Sequence, residues 1–175
     1  MPLTLHEAFI PTAKQILGGM RGLVDKAEAH CNDTGTDPAE LLEAKLAETM
    51  WTLPWHVRAC WVHSGFAINL YKTGEFSPDF TVLPGNWDEM RAMIDDALAQ
   101  LDAITVDELE AVAGETIGFV LGGNRLMEMT GQNFLLSFNQ PNLYFHATTF
   151  YDILRMKGLP LGKRDFMGAP RVIGA

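Results

Sequence analysis

The sequence has 175 residues, of which 47% are hydrophobic, and it carries a formal net charge of −9. These values exclude a disordered chain and predict one domain that buries roughly 70% of its unfolded surface. The negative charge disfavours general binding to nucleic acid or to anionic membranes, because phosphate groups require cationic partners.

The two cysteines, Cys31 and Cys60, form no CxxC motif, which is typical of reduced thiols in a cytoplasmic protein. We expect Cys60 to be a small core residue. No apolar run reaches transmembrane length, and the N-terminal residues lack the regions of a signal peptide. The sequence therefore predicts a cytoplasmic protein with no membrane partner.

The first half of the chain is predicted to be helical. Apolar residues at helical spacing predict a first helix over residues 3–29, which Pro11 bends or delays. Asp37 is a good N-cap for a second helix, which we expect to end near Glu48. A longer helix follows, and Pro54 marks its first turn or a break between two pieces.

That longer helix carries two histidines beside its apolar stripe. His56 and His63 are seven residues apart, so they share a face but lie about 11 Å from one another along the axis. This is too far for both rings to ligate one ion from a straight helix. One of them could join His146 from another helix, as in the metal sites of helical bundles. Alternatively, both are boundary histidines beside tryptophans.

The middle of the chain changes its pattern twice. Residues 72–86 are rich in Gly and Pro and predict a long loop that folds over one end of the bundle. Asn86 is expected to cap a helix over residues 87–103, and a short helical turn should follow at 105–110. Alternating apolar residues around a Gly-Gly-Asn turn then predict a β-hairpin at 115–129.

The chain is organised around residues 131–157, which are predicted to form a largely buried central helix. Thr130 is its expected N-cap, Pro141 should kink it near the middle, and Gly158 should end it. A helix that is apolar nearly all round belongs in the centre of a bundle rather than on its surface.

Four polar residues follow one edge of this helix at spacings of three, four and three: Asn139, Asn142, His146 and Thr149. One interpretation is a hydrogen-bonded seam that fixes how the helix docks, because buried polar groups need partners. The other is that His146 and its neighbours line a pocket. Asp152 lies on the apolar stripe, where a carboxylate is costly unless it is paired. Its candidate partners are Arg58, Arg155 and Arg164.

The C-terminal segment is basic, with five Lys or Arg and one acid in residues 155–175. Apolar residues between the cations predict that the tail, residues 159–175, packs back on the bundle. We expect it to dock on the protein's own acidic surface. Alternatively, Lys163 and Arg164 form a local anion site that grips a carboxylate.

Several stretches together resemble a known group: LTLHEAFIP, LVDKAEAH, DPAELLEAKLAETMWTLPWHVRAC, PNLYFHATTFYDILR and GLPLGKRDFMG. They are similar to the uncharacterised bacterial branch of the DinB-like (DinB/YfiT) superfamily that is catalogued as a domain of unknown function. The resemblance covers nearly the whole chain. It implies an all-α fold, a DinB-like four-helix bundle with a small inserted β-hairpin, as a single domain over residues 1–175 that is often dimeric.

The resemblance also implies a possible metal site. Many members of the superfamily bind a divalent metal through three histidines, one on the second helix and an HxxxH pair on the last. Here the first ligand would match His56, and the pair would match either Asn142 and His146 or His146 and Phe150. One histidine is missing in either case. The branch also tends to carry His where Met156 stands here.

Two functions follow as hypotheses, since no HExxH, GxSxG or Cys-rich zinc motif assigns a reaction. The first is a non-catalytic small-molecule-binding module with a degenerate metal site. The second is a metal-dependent thiol transferase or isomerase that holds a weakly bound zinc or nickel ion through His56 and His146, with His63 as a further candidate. Catalytic residues are not assigned, and a homodimer is expected. The candidate ligand contacts are Asn142, Thr149, Asp152, Lys163 and Arg164.

Overall fold

The computed structural model describes residues 2–173, which are mostly helical with a small three-stranded sheet. The helices are α1 (Leu5–Thr34), α2 (Pro38–Leu42), α3 (Leu53–Trp61), α4 (Ala67–Leu70), α5 (Trp87–Ala103), α6 (Val106–Ala111), α7 (Gly131–Asn133), α8 (Gln140–Met156) and α9 (Lys163–Met167). The strands are β1 (Glu75–Phe76), β2 (Thr116–Leu121) and β3 (Asn124–Thr130). None of the helices within this range is long and apolar enough to cross a membrane.

The helix boundaries follow their capping residues. At the start of α1, Thr4 accepts a hydrogen bond from the Glu7 backbone N–H at 3.0 Å, and Glu7 bonds back to Thr4 in a capping box. The helix was predicted to end at residue 29, which is wrong. It continues to Thr34, because Gly35 is the first residue to take the left-handed conformation, at φ 72°. Pro11 lies inside it.

Other boundaries agree with the sequence more closely. Asn86 caps α5 by accepting from the Glu89 backbone N–H, and the bounds of α5 are those predicted. Pro54 lies in the first turn of α3, as expected. The second helix is shorter than predicted and ends at Leu42 rather than Glu48, because the chain then turns back to begin α3.

Two π-helical turns, which the sequence did not predict, interrupt the long helices. Val62–Phe66 connects α3 to α4, and Phe134–Asn139 connects α7 to α8. In the second turn, the Asn139 side-chain amide donates to the Phe134 carbonyl at 2.7 Å. Pro141 follows at the start of α8, where its missing N–H removes no bond of that helix. Such turns are frequent at functional sites, and both of these lie beside the site described below.

The sheet combines a hairpin with one short strand. β2 and β3 pair antiparallel around Gly122 and Gly123, whose φ angles of 58° and 79° are those a tight hairpin turn requires. β1 pairs parallel with β2 and lies inside the predicted loop 72–86. That strand was not predicted, because two residues are too few to show alternation.

α1, α3, α5 and α8 pack around a common apolar core, and α9 lies against α1. In the C-terminal segment Leu159 and Leu161 are buried. The Lys26 ammonium pairs with the Asp165 carboxylate at 2.5 Å, and the Gln15 side-chain amide donates to the Met167 carbonyl at 2.9 Å. These contacts hold residues 159–167 against the first helix.

Candidate functional site

Three histidines, of which His56 and His146 are buried and His63 is partly buried, come together between α3 and α8. His56 lies on α3, His63 in the π-helical turn after it, and His146 on α8. The Nδ1 atoms of His56 and His146 are 3.0 Å apart. The rings of His63 and His146 are stacked, 6° from parallel, with centroids 6.2 Å apart. The structure thus brings together all three candidate metal ligands, with His146 in contact with both others.

Hydrogen bonds fix the tautomers of these rings. His56 Nε2 lies 3.3 Å from the Trp51 carbonyl, which can only accept, so Nε2 carries the proton. The neutral ring then leaves His56 Nδ1 as an acceptor, and His146 Nδ1 must be the donor. Asn139 donates its amide to a carbonyl, so its oxygen accepts from His63 Nδ1 at 2.9 Å. The Nε2 atoms of His63 and His146 therefore carry lone pairs.

All three rings are neutral at pH 7, because burial disfavours the imidazolium form. Burial, followed by the charges of His56 and His63, lowers the pKa of His146 to about 3. Burial lowers the pKa of His63 to about 4, although its bond to Asn139 opposes the shift. The pKa of His56 is also lowered by burial. Neutral imidazoles are good hydrogen-bonding groups for a ligand and good metal ligands.

The geometry does not fit the three-ligand metal site that the superfamily resemblance implies. Two nitrogens bound to one tetrahedral zinc at about 2.0–2.1 Å lie about 3.4 Å apart. The His56–His146 separation of 3.0 Å is instead a hydrogen bond through a proton that a metal would have to displace. Among residues 2–173, no group of three or more His, Cys, Asp or Glu side chains is arranged to hold an ion.

A cavity of about 210 Å³ opens beside His63 and His146. Its walls are formed by α3, the loop after β1, strand β2, and α8 with the π-helical turn before it. Aromatic side chains cover most of the wall, and the polar groups are few. The main aromatic and polar lining residues besides the two histidines are Trp51, Phe80, Phe119, Phe138, Arg58 and Asn142. A larger cavity of about 460 Å³ lies between α1, the end of α5 and the C-terminal segment, and none of the three clustered histidines lines it.

Of the five predicted ligand contacts, Asn142 alone lines the histidine pocket. The Thr149 hydroxyl donates to the Phe145 carbonyl of its own helix at 2.8 Å. Lys163 and Arg164 are exposed on α9, which packs against α1, so the structure does not place them at this pocket. The basic tail therefore contributes no anion-binding group to the histidine cluster.

The predicted partners of Asp152 are also corrected. Within the described residues Asp152 forms no ion pair with Arg58, Arg155 or Arg164 and is partly exposed, so water solvates its carboxylate. Arg58 instead faces Asp79, and Arg155 donates to the Leu161 carbonyl.

The four polar residues predicted to form a hydrogen-bonded seam do not bond to one another. These residues, Asn139, Asn142, His146 and Thr149, bond mainly to backbone carbonyls of their own helical segment. Asn142, for example, donates to the Phe138 carbonyl at 2.7 Å. The exceptions join α8 and the turn before it to α3 and the turn after it: His146 bonds to His56, and Asn139 bonds to His63.

Sequence reasoning missed Arg58 as a site residue. It is 1% exposed and lines the pocket with the two histidines. A signal was present, because Arg58 is the sole Asp, Glu, Lys or Arg between Glu48 and Lys72. A lone charge in the middle of an apolar helix indicates a buried functional or structural role.

Residues 5–167 match the family described as a domain of unknown function, DUF1993. The chain belongs to this family. The DUF1993 chain is also similar to a solved structure, the crystal structure of a DinB family member protein from Shewanella denitrificans, at 27% sequence identity. The similarity covers 98% of this chain and 96% of that one, with a TM-score of 0.78. A comparison with curated proteins finds no match. The molecule is thus a DinB-like protein of the DUF1993 family.

Proposed function

We propose that this DUF1993 protein is a small-molecule-binding module with a degenerate metal site. In this proposal residues 1–175 form one four-helix-bundle domain that functions in the cytoplasm as a homodimer. The observation that carries it is the pocket of about 210 Å³ in which His63 and His146 meet aromatic walls. Ligand sites are typically apolar concavities with a few convergent polar groups, and this one has that composition.

The polar groups of the pocket include acceptor atoms that are free to bond to a ligand. The Nε2 atoms of His63 and His146 are acceptors, and neither bonds to another side chain or backbone group in residues 2–173. The amide of Asn142 is used by the Phe138 carbonyl, which leaves its oxygen to accept from a ligand. The cavity is smaller than the roughly 300–1,000 Å³ of most ligand pockets, so the expected ligand is small.

A second function, the metal-dependent thiol transferase or isomerase, would use the neighbouring rings of His56 and His146, although their 3.0 Å separation is that of a hydrogen bond rather than of two metal ligands. A metal held there would lower the pKa of a bound thiol. Binding would require His146 to lose its Nδ1 proton and the two nitrogens to separate by about 0.4 Å to reach zinc geometry. Two imidazoles form a weak site, so we propose the binding module first.

Elemental analysis of protein purified from cells grown with added zinc and nickel separates the two functions. The binding module predicts no stoichiometric metal. One metal ion per chain that disappears in both His56→Ala and His146→Ala would favour the enzyme.

The pocket itself is tested by screening a library of small fragments by NMR with the full chain. We expect the hits to shift resonances of His63 and His146 and to bind more weakly in Asn142→Leu, which replaces a pocket acceptor with a somewhat larger apolar side chain. The matched control is Asn133→Leu, the same change at an exposed position on α7. Hits that bind Asn142→Leu as tightly as the wild type, or that map elsewhere, would contradict the proposed function.

A further inference from the structure

Arg58 is a buried cation whose hydrogen bonds are incomplete. The residue is 1% exposed, and its Nε and Nη2 atoms are buried without a hydrogen-bond partner. Buried guanidinium donors are normally satisfied, because an unpaired charged donor is unfavourable in a low-dielectric interior. Arg58 lines the cavity, so an acceptor that enters the cavity and displaces the atoms covering these two donors would complete their hydrogen bonds.

Asp79 balances the charge of Arg58 without satisfying its donors. The Asp79 carboxylate lies 3.7 Å from Arg58 Nη2, which is beyond hydrogen-bonding distance. One of its oxygens already accepts from the backbone N–H and the hydroxyl of Thr81, each at 2.6 Å. The aspartate is therefore held by its own loop, and the Nε and Nη2 donors of Arg58 remain unsatisfied.

Two aromatic rings contact the guanidinium through cation–π interactions. The Arg58 Cζ atom lies 5.3 Å from the centroid of the Trp55 ring and 4.9 Å from that of Phe80. These contacts stabilise the cation but satisfy none of its N–H donors. The Nε and Nη2 donors together match the two oxygens of a carboxylate in bidentate geometry.

We propose that the ligand of this pocket is a small monocarboxylate with an aromatic or branched apolar body. This inference rests on the proposed function. The carboxylate binds the Nε and Nη2 edge of Arg58, and the body lies against Phe119 and Phe138. A cavity of about 210 Å³ corresponds to about seven water molecules, which suits a ligand of this size. A phosphate is disfavoured, because its additional charged oxygens would face neutral acceptor nitrogens and Asp79.

The test compares benzoate with its uncharged analogue benzamide, by calorimetry and NMR with the full chain. Benzoate should bind about 10- to 100-fold more tightly than benzamide, as expected for charge-assisted hydrogen bonds. Arg58→Gln should abolish this preference. Asp79→Asn should tighten benzoate binding, since it removes a competing carboxylate. Arg164→Gln is the control, an exposed arginine on α9, and should change neither affinity.

The outcomes separate this inference from the proposed function. Equal affinities for benzoate and benzamide in the wild type would overturn the carboxylate assignment, and this comparison needs no variant to fold. A preference that survives Arg58→Gln, or is lost in Arg164→Gln, would also overturn it. If benzoate fails to bind while neutral fragments occupy the pocket, the carboxylate assignment alone fails. If neither benzoate nor any fragment binds there, the proposed function fails with it.

Discussion

Replacing glycine by alanine should have opposite effects on stability at different positions of α1. A Cβ atom at Gly19 would lie 2.4 Å from the Phe166 carbonyl oxygen and 3.2 Å from the Gly168 backbone nitrogen. Both obstacles are backbone atoms, so no side-chain rotation relieves the clash. Gly18 and Gly22 have nothing within 4 Å of the corresponding position. Alanine at Gly19 should therefore push the segment around α9 away from α1, whereas alanine at the other two should be accommodated.

The expected changes in the free energy of unfolding have opposite signs. Replacing an exposed helical glycine by alanine stabilises by about 1 kcal/mol, which raises Tm by about 2–4 °C at this chain length. Gly18→Ala and Gly22→Ala should each approach this gain. Gly19→Ala obtains the same gain but incurs an overpacking cost of about 1–3 kcal/mol. The net change should be a loss, with a Tm below that of the wild type by up to about 4–8 °C.

Thermal denaturation followed by far-UV circular dichroism measures these shifts. Limited trypsin digestion reports on the C-terminal segment directly, because undocking exposes the bonds after Lys163 and Arg164. Cleavage there should be faster in Gly19→Ala than in Gly18→Ala. A Gly19→Ala protein as stable and as resistant as Gly18→Ala would refute the packing of this segment on α1.

Three further predictions concern stability and reactivity. In the unfolded chain His63 and His146 take up protons near pH 6.5, whereas their pKa values in the folded chain are about 4 and 3. The free energy of unfolding should therefore be highest above pH 6.5 and should fall as the pH drops toward 4, because only the unfolded chain binds these protons. Melting curves at pH 7.5, 6.0 and 4.5 should show a falling Tm, and a flat profile would contradict the neutral burial of these rings. Burial raises the pKa of the Cys60 thiol, so it should resist an aromatic disulfide reagent until urea unfolds the chain; prompt reaction in the native state would count against its position in the core. Leu161 is 5% exposed, so Leu161→Ala should cost about 2–5 kcal/mol in urea denaturation, whereas Leu3→Ala, at a position 73% exposed, should cost almost nothing.

The sequence was most informative where a local signal and a periodic pattern agree. Asn86 followed by apolar residues at helical spacing predicted the bounds of α5 correctly, because the cap and the buried face act within one element. The contact between His56 and His146 followed from two signals together: each lies beside the apolar stripe of its helix, and the superfamily resemblance places ligands at these two positions. The end of α1 was missed because its last turn, before Gly35, lies in a polar stretch without the apolar spacing that marked the rest of the helix.

Two other features depend on tertiary contacts and were not predictable. The π-helical turns show no periodic signature within five or six residues, and one of them contains His63. The state of the Arg58 donors depends on where the loop after β1 places Asp79 and Phe80. That loop has no repeating pattern, so its side of the pocket could not be inferred from residue spacing.

In the proposed function, the histidine cluster is a hydrogen-bonded wall of a ligand pocket rather than a metal centre. Proton–nitrogen correlation NMR of the histidine rings tests this claim most directly. At pH 7 we expect three neutral rings, protonated on Nε2 in His56 and on Nδ1 in His63 and His146, with spectra unchanged when one equivalent of zinc or nickel is added. Loss of the His146 Nδ1 proton on adding metal, together with shifts of the ring nitrogens of His56 or His63, would show instead that the cluster is a metal centre.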